Sequence, residues 1–187
     1  MKKLATLFTD SYNEFKNVKV LTATGMFGAA SLVLGYFTIA VGDYVKIGFS
    51  TIANQFVYYL FGPVVGGVFG GAMDILKYLI KPTGGYFFGF TLVPMIAGVI
   101  YGICYYKKPI SLWRTLVAEL IVAIFCNMLL GTYFLSIILG KGFFVLFPLR
   151  ALKNIIMWPI HSMLFYTIGK TLEASGVFRN LKSLAYH

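Results

Sequence analysis

A succession of apolar runs, each about as long as a bilayer crossing and parted by short Gly, Pro and Lys clusters, is what most constrains this chain. A spanning helix needs roughly 20 apolar residues at about 1.5 Å rise each. The pattern predicts six spans: Val20–Val41, Ile47–Phe61, Val64–Ile80, Tyr86–Tyr106, Leu112–Ile138 and Pro148–Leu172. The second is short for a crossing, which predicts a helix that is tilted or partly enclosed by the others. Gly62-Pro63 divides the second from the third, because proline has no N–H to donate in a helix interior. Charge agrees with the pattern. Charged residues make up 12% of the 187 and hydrophobic ones 59%, where a soluble domain carries about 25% charged. Too little polar surface remains to face water on every side. The expected fold is all-α: an integral membrane bundle of six transmembrane helices over 20–175, within a single membrane domain, 1–187.

Residues 2–17 place Leu4, Leu7, Phe8, Tyr12 and Phe15 among charges at helical spacing. This predicts a short amphipathic helix lying on the membrane surface. Asp10 and Glu14 follow the first lysines, and no A-x-A site ends the first apolar run. That run is therefore expected to be a retained helix rather than a removed signal peptide. An even number of spans puts both termini on one side. Ten Lys and Arg fall on that side and six on the other, so both termini are expected in the cytoplasm of a cell-membrane protein. The same bias accounts for the net charge of +10 without a nucleic-acid partner.

Two polar stripes interrupt the apolar surface. The third span carries Asp74, Lys77, Tyr78 and Lys81, and the sixth carries Arg150, Lys153, Asn154, Trp158 and His161. Offsets of three, four and seven place each set on one helical face. A charge at membrane depth costs a few kcal/mol, so such residues generally serve a site. In the expected topology both stripes lie in the outer halves of their helices and can converge on a pocket that opens outward. Cations outnumber Asp74 there, which favours an anionic ligand, and Arg can grip a carboxylate with two hydrogen bonds. Trp158, Phe147, Tyr78, Tyr86, Phe87, Phe88 and Phe90 offer flat faces to an aromatic ring, and Asp74 can accept hydrogen bonds from an amino-heterocycle. The competing reading is that the cations snorkel to headgroups and that Asp74 only neutralises Lys77. The candidate substrate-binding set is Asp74, Lys77, Tyr78, Phe90, Arg150, Lys153, Asn154 and Trp158.

Small residues recur as Gly62, Gly66 and Gly70, with Gly67 and Gly71 in the next register. The spacing permits close backbone approach, most commonly for packing within a bundle. The first span has Gly25 and Ala29 with the same separation, equally suited to internal packing or to a partner's helix. Gly169-Lys170-Thr171 resembles the end of a phosphate-binding loop, but Leu164 stands where that motif needs glycine. No catalytic or metal-ligand constellation is present, with His161 and His187 the only histidines. Cys104 and Cys126 read as small buried hydrophobes. The chain is expected to be no enzyme, to need no cofactor or metal, and to borrow its energy if it moves solute. Glu119 is most simply read as pairing with Arg114 or a nearby lysine.

Lys46-Ile47-Gly48-Phe49-Ser50, Phe61-Gly62-Pro63-Val64-Val65-Gly66-Gly67 and Gly71-Ala72-Met73-Asp74-Ile75 resemble the substrate-binding (S) components of energy-coupling factor (ECF) transporters. Pro82-Thr83-Gly84-Gly85-Tyr86-Phe87 with Gly89-Phe90-Thr91-Leu92, and Pro148-Leu149-Arg150-Ala151-Leu152-Lys153-Asn154 with Pro159, resemble the folate-specific branch. The resemblance covers about residues 20–175. It implies a six-helix bundle with an outward vitamin pocket closed by the loop between helices one and two. It also implies a transmembrane coupling subunit and two ATPases as partners, and delivery of folate by toppling of the bundle in the membrane. Family members couple through Ala-x-x-x-Ala on helix one, for which Gly25-x-x-x-Ala29 is the nearest match. Two alternatives remain at this point. One is an S component for another vitamin such as thiamine, which the cationic balance disfavours. The other is a proton-coupled secondary transporter working through Asp74 and Glu119.

Overall fold

Inside a bilayer every backbone N–H and C=O must find its partner within the protein, so apolar runs fold as helices. The structure, a computed structural model, describes residues 2–36, 38–41, 45–80, 86–140 and 142–178. In order they form α1 (Lys2–Phe15), α2 (Val18–Tyr36), β1 (Thr38–Val41), β2 (Val45–Gly48), α3 (Ser50–Ile80) and α4 (Phe88–Tyr105). There follow α5 (Leu112–Val122), a π-helical stretch (Ala123–Leu130), α6 (Gly131–Leu139) and α7 (Phe143–Ala174). From α5 through α6 the chain runs on as one rod. Among the described residues, five helical stretches are long and apolar enough to cross a membrane: α2, α3, α4, the rod and α7.

The helix α3 is two arms, 50–61 and 63–80, broken where the sequence predicts. Gly62 has φ 84° and ψ −169°, a region open to glycine because it lacks Cβ. Lys77 Nζ donates to Ser50 Oγ at 3.3 Å across 27 positions, which a straight helix would hold about 40 Å apart. The Tyr58 and Phe69 rings also meet edge-on, with centroids 6.3 Å apart. The arms therefore lie antiparallel, side by side. Such a reversal orphans backbone groups, and Ser11 of α1 satisfies them. Its hydroxyl donates to Phe61 O at 2.7 Å and accepts from Val64 N and Val65 N at 3.0 and 3.3 Å. Ser11 is fully buried. Glu14 is also buried, and burial pushes its carboxyl above the ordinary range against the pull of Lys107. A 2.6 Å ion pair joins Asp10 to Lys107. Polar residues of α1 thus face the bundle, while Leu4, Phe8, Tyr12 and Phe15 face away from it.

The bundle is built around α3. Its most apolar window is 83% buried, against 6% for that of α7. Contact between α3 and α4 is backbone to backbone: a Cβ on Gly70 would lie 2.3 Å from Pro94 O, and one on Gly98 2.3 Å from Gly66 O. The glycine spacing of the third span is therefore used inside the bundle. On α2, Val20, Ala23, Thr24, Gly28 and Ser31 are buried, whereas Gly25 and Ala29 lie on the exposed face. Many large apolar side chains elsewhere are also exposed, Phe144 at 85% and Met26 at 71% among them. A surface of this kind belongs against lipid tails.

Three expectations are corrected. The first span does not reach Val41. It ends at Tyr36, and Thr38–Val41 pairs antiparallel with Val45–Gly48 as a short hairpin, so the bundle is helical but not purely so. These stretches are rich in β-branched residues and alternate in character, which suits a strand. The next helix accordingly starts at Ser50 instead of Ile47. The last span begins at Phe143, five residues ahead of Pro148, which is accommodated inside the helix. Lys81, the 82–85 loop, Lys141, Arg179 and Lys182 lie outside the described residues, as does the side chain of Lys46.

Candidate functional site

The antiparallel arms of α3, together with α4, the rod and α7, enclose a cavity of about 900 Å³ whose lining runs along the rod from Glu119 to Ile138. Each wall has a local cause. The reversal at Gly62 brings Thr51 and Asn54 of one arm beside Asp74 and Lys77 of the other. The π-helical stretch locally widens its helix, a distortion often found at functional sites, and Ala123 and Asn127 line the cavity from it. The helix α7 runs antiparallel to the rod. Trp158 Nε1 donates to Leu116 O at 2.8 Å, and Arg150 Nη1 would lie 3.4 Å from a Cβ on Gly131. Helical rise makes the distance between those levels substantial: about 18 Å of rod separates Glu119 from Gly131.

All eight residues of the candidate substrate-binding set line this cavity: Asp74, Lys77, Tyr78, Phe90, Arg150, Lys153, Asn154 and Trp158. Tyr86, Phe87 and His161 join them. Phe88 and Phe147 do not. Phe88 is 64% exposed, and Phe147 packs on Phe143 near the start of α7. Asp74 is engaged locally: Thr91 Oγ1 donates to its Oδ2 at 2.8 Å and is itself 2.7 Å from Tyr86 Oη. Arg150 Nη1, His161 Nε2 and Asn54 Oδ1 are buried atoms without a partner among the described residues. Buried polar groups are ordinarily hydrogen-bonded, so their clustering in one cavity marks it as built for a polar guest.

The expected pairing of Glu119 with Arg114 is overturned. Arg114 Nη1 donates to Pro109 O at 2.6 Å, away from the cavity. Glu119 is buried at the cavity floor, where Gln55 Nε2 donates to Oε1 and Tyr101 Oη donates to Oε2 at 2.7 Å. Tyr58 stacks on Tyr101 with ring centroids 5.8 Å apart, completing that floor. Asn54, Tyr58, Tyr101 and Asn127 are not singled out by the sequence, because none belongs to a polar stripe that recurs at helical spacing. The adjacent amides Asn54-Gln55 and the lone acid of the fifth span were the available signals.

The geometry defines a class: a helical membrane protein with a cavity among its helices lined by polar and aromatic side chains, and with no group of three metal-ligating side chains among the described residues. Comparison with known proteins names the family. Residues 19–169 match the family described as the substrate-specific component of ECF transporters. The chain is 34% identical over 158 residues to the folate transporter FolT of Clostridium novyi (strain NT), covering 84% of this chain and 92% of that protein. A folate transporter FolT of Leuconostoc mesenteroides is 26% identical over 147 residues, or 75% of this chain and 79% of that one. A crystal structure of FolT bound with folic acid superposes with a TM-score of 0.73 at 31% identity, over 82% of this chain and 93% of the other. The chain belongs to the substrate-specific components of ECF transporters. It is a multi-pass membrane transport protein and not an enzyme.

Proposed function

We propose that this chain binds folate from outside the cell with high affinity and delivers it to an ATP-driven coupling module. The observation that carries the reading is one cavity in which Lys77, Arg150 and Lys153 share the walls with Asp74, Asn54 and a set of aromatic rings. An aromatic dicarboxylate with a nitrogen-rich ring needs that combination of cations, hydrogen-bonding groups and flat faces. The named relatives, folate transporters from two bacteria, support the same ligand.

In this reading Asp74, Lys77, Tyr78, Phe90, Arg150, Lys153, Asn154 and Trp158 contact folate. The whole chain is a single membrane domain. Each arm of α3 counts as one crossing, giving six transmembrane helices with both termini in the cytoplasm and the cavity mouth outside. The outward apolar face of α1 rests on the inner membrane surface. Gly25 and Ala29, on the exposed face of α2, meet the transmembrane coupling subunit, which in turn carries two ATPases. Binding needs no ATP.

Mass spectrometry of the small molecule that co-purifies with the protein is the direct test. Folate at about one per chain supports the reading, and a different vitamin, with no folate bound by calorimetry, overturns it.

A further inference from the structure

A second recess lies outside the cavity, at the turn between α4 and α5. Cys104, Lys108, Ser111, Trp113, Arg114 and Val117 line it, around a volume of about 320 Å³. It stands at the end of the bundle where α3 reverses, since Gly102 of α4 packs directly on Pro63 there. None of its lining residues is shared with the cavity. Its two cations are hydrogen-bonded but not neutralised. Lys108 Nζ donates to Ile103 O at 2.8 Å, and Arg114 Nη1 donates to Pro109 O at 2.6 Å. These carbonyls hold both side chains over the turn and cancel no charge, and each cation keeps further N–H donors. No carboxylate lines the recess. Neither ion pair among the described residues, Lys107–Asp10 or Lys170–Glu173, includes Lys108 or Arg114. Ser111, whose side chain makes no cap to α5, adds a hydroxyl to the same wall. The recess therefore offers charge and donors to an anion.

The neighbouring surface decides which anion. Trp113 is 75% exposed, and Val117, Leu120 and Ile124 are exposed as well. Offsets of four, seven and eleven put the four on one helical face. This apolar stripe begins at the recess and runs about 16 Å along the rod, the depth of one leaflet in a hydrocarbon core about 30 Å thick. Indole rings concentrate at the headgroup level of a bilayer, and basic pockets beside membrane helices suit anionic headgroups. A free phosphate would meet the cations and leave the stripe unused. We propose that the recess binds one anionic phospholipid, its phosphate held by Lys108 and Arg114 and an acyl chain laid along Trp113, Val117, Leu120 and Ile124. The site is independent of the ligand in the cavity.

The test uses the full-length protein in phosphatidylcholine vesicles. A small fraction of the lipid is either phosphatidylglycerol or phosphatidylcholine with brominated acyl chains, which quench indole fluorescence on contact. Trp113→Phe, recorded alongside, separates the emission of Trp113 from that of Trp158. Brominated phosphatidylglycerol is expected to bind at Trp113 at least about tenfold more tightly than brominated phosphatidylcholine. The double variant Lys108→Gln, Arg114→Gln is expected to bring the two lipids within about twofold of each other. Lys16→Gln, which removes an exposed cation just after α1, is expected to keep the wild-type preference. Equal quenching by the two lipids in wild type overturns the proposal and leaves Lys108 and Arg114 as snorkelling groups. A double variant that retains the preference overturns it as well. Inorganic phosphate in large excess is expected to leave the quenching unchanged, and relief of quenching by it identifies a soluble anion as the ligand and overturns the lipid assignment. Should the double variant fail to fold, the wild-type comparison and the phosphate addition still decide.

Discussion

Single side chains decide how the polar economy of this apolar protein closes. Ser11 is the clearest case, because one hydroxyl engages three backbone groups orphaned by the Gly62 reversal. Ser11→Ala is expected to cost about 1–2 kcal/mol, the scale of a lost helix cap, read as a lower midpoint for thermal unfolding in detergent. Ser11 does not line the cavity, so folate stoichiometry should be unchanged in the folded fraction. Arg150 is a different kind of residue: its guanidinium is half-buried, with one nitrogen unanswered among the described residues. Arg150→Ala is expected to weaken folate binding by more than about 1 kcal/mol with little loss of stability, and unchanged affinity in a titration would remove it from the site. The functional stripes were legible at this scale because charge is rare here, and every Lys, Arg and Asp in an apolar run calls for a reason. Glu119 was legible as an anomaly but not in its role, since its partners Gln55 and Tyr101 lie on other helices, 64 and 18 positions away.

At the level of elements, the decisive contact is the seam between the second arm of α3 and α4. Glycines there replace side chains with backbone contact, and nothing flexible stands opposite Gly70 or Gly98 to give way. Gly98→Leu is expected to separate the two helices and to lower the yield of monodisperse protein on size exclusion severely, overpacking being destabilising even for smaller additions. The exposed face of α2 predicts the opposite. No atom lies within 4 Å of a Cβ built on Gly25, so Gly25→Trp should leave folding and folate binding intact. In cells with the coupling module it should abolish folate uptake, and uptake at the wild-type level would remove this face as the docking surface. Helix existence followed from apolar run length, and the break followed from Gly62-Pro63. The hairpin did not, because a strand of four residues beside a long apolar run carries little signal of its own. The start of α7 differs for a related reason: Pro148 reads as a helix boundary, although it stands sixth in the helix and is accommodated there.

For the whole molecule, a binder without ATPase machinery should not concentrate its ligand. Proteoliposomes holding this chain alone are expected to bind folate and not to accumulate it, with or without a proton gradient. Accumulation driven by that gradient would return attention to secondary transport through Asp74 and Glu119. Membrane residence, the approximate helices, the break at Gly62-Pro63 and the two polar stripes were all encoded locally, in the length of apolar runs and the period at which rare charges recur. What faces what was not encoded locally. That the arms of α3 fold back on each other, that α1 turns its serine inward to cap them, and that Glu119 ends beneath a cavity instead of beside Arg114 depend on pairings between segments tens of residues apart. Periodicity reports which face of a helix is polar. Only close packing of the helices establishes which neighbour that face meets.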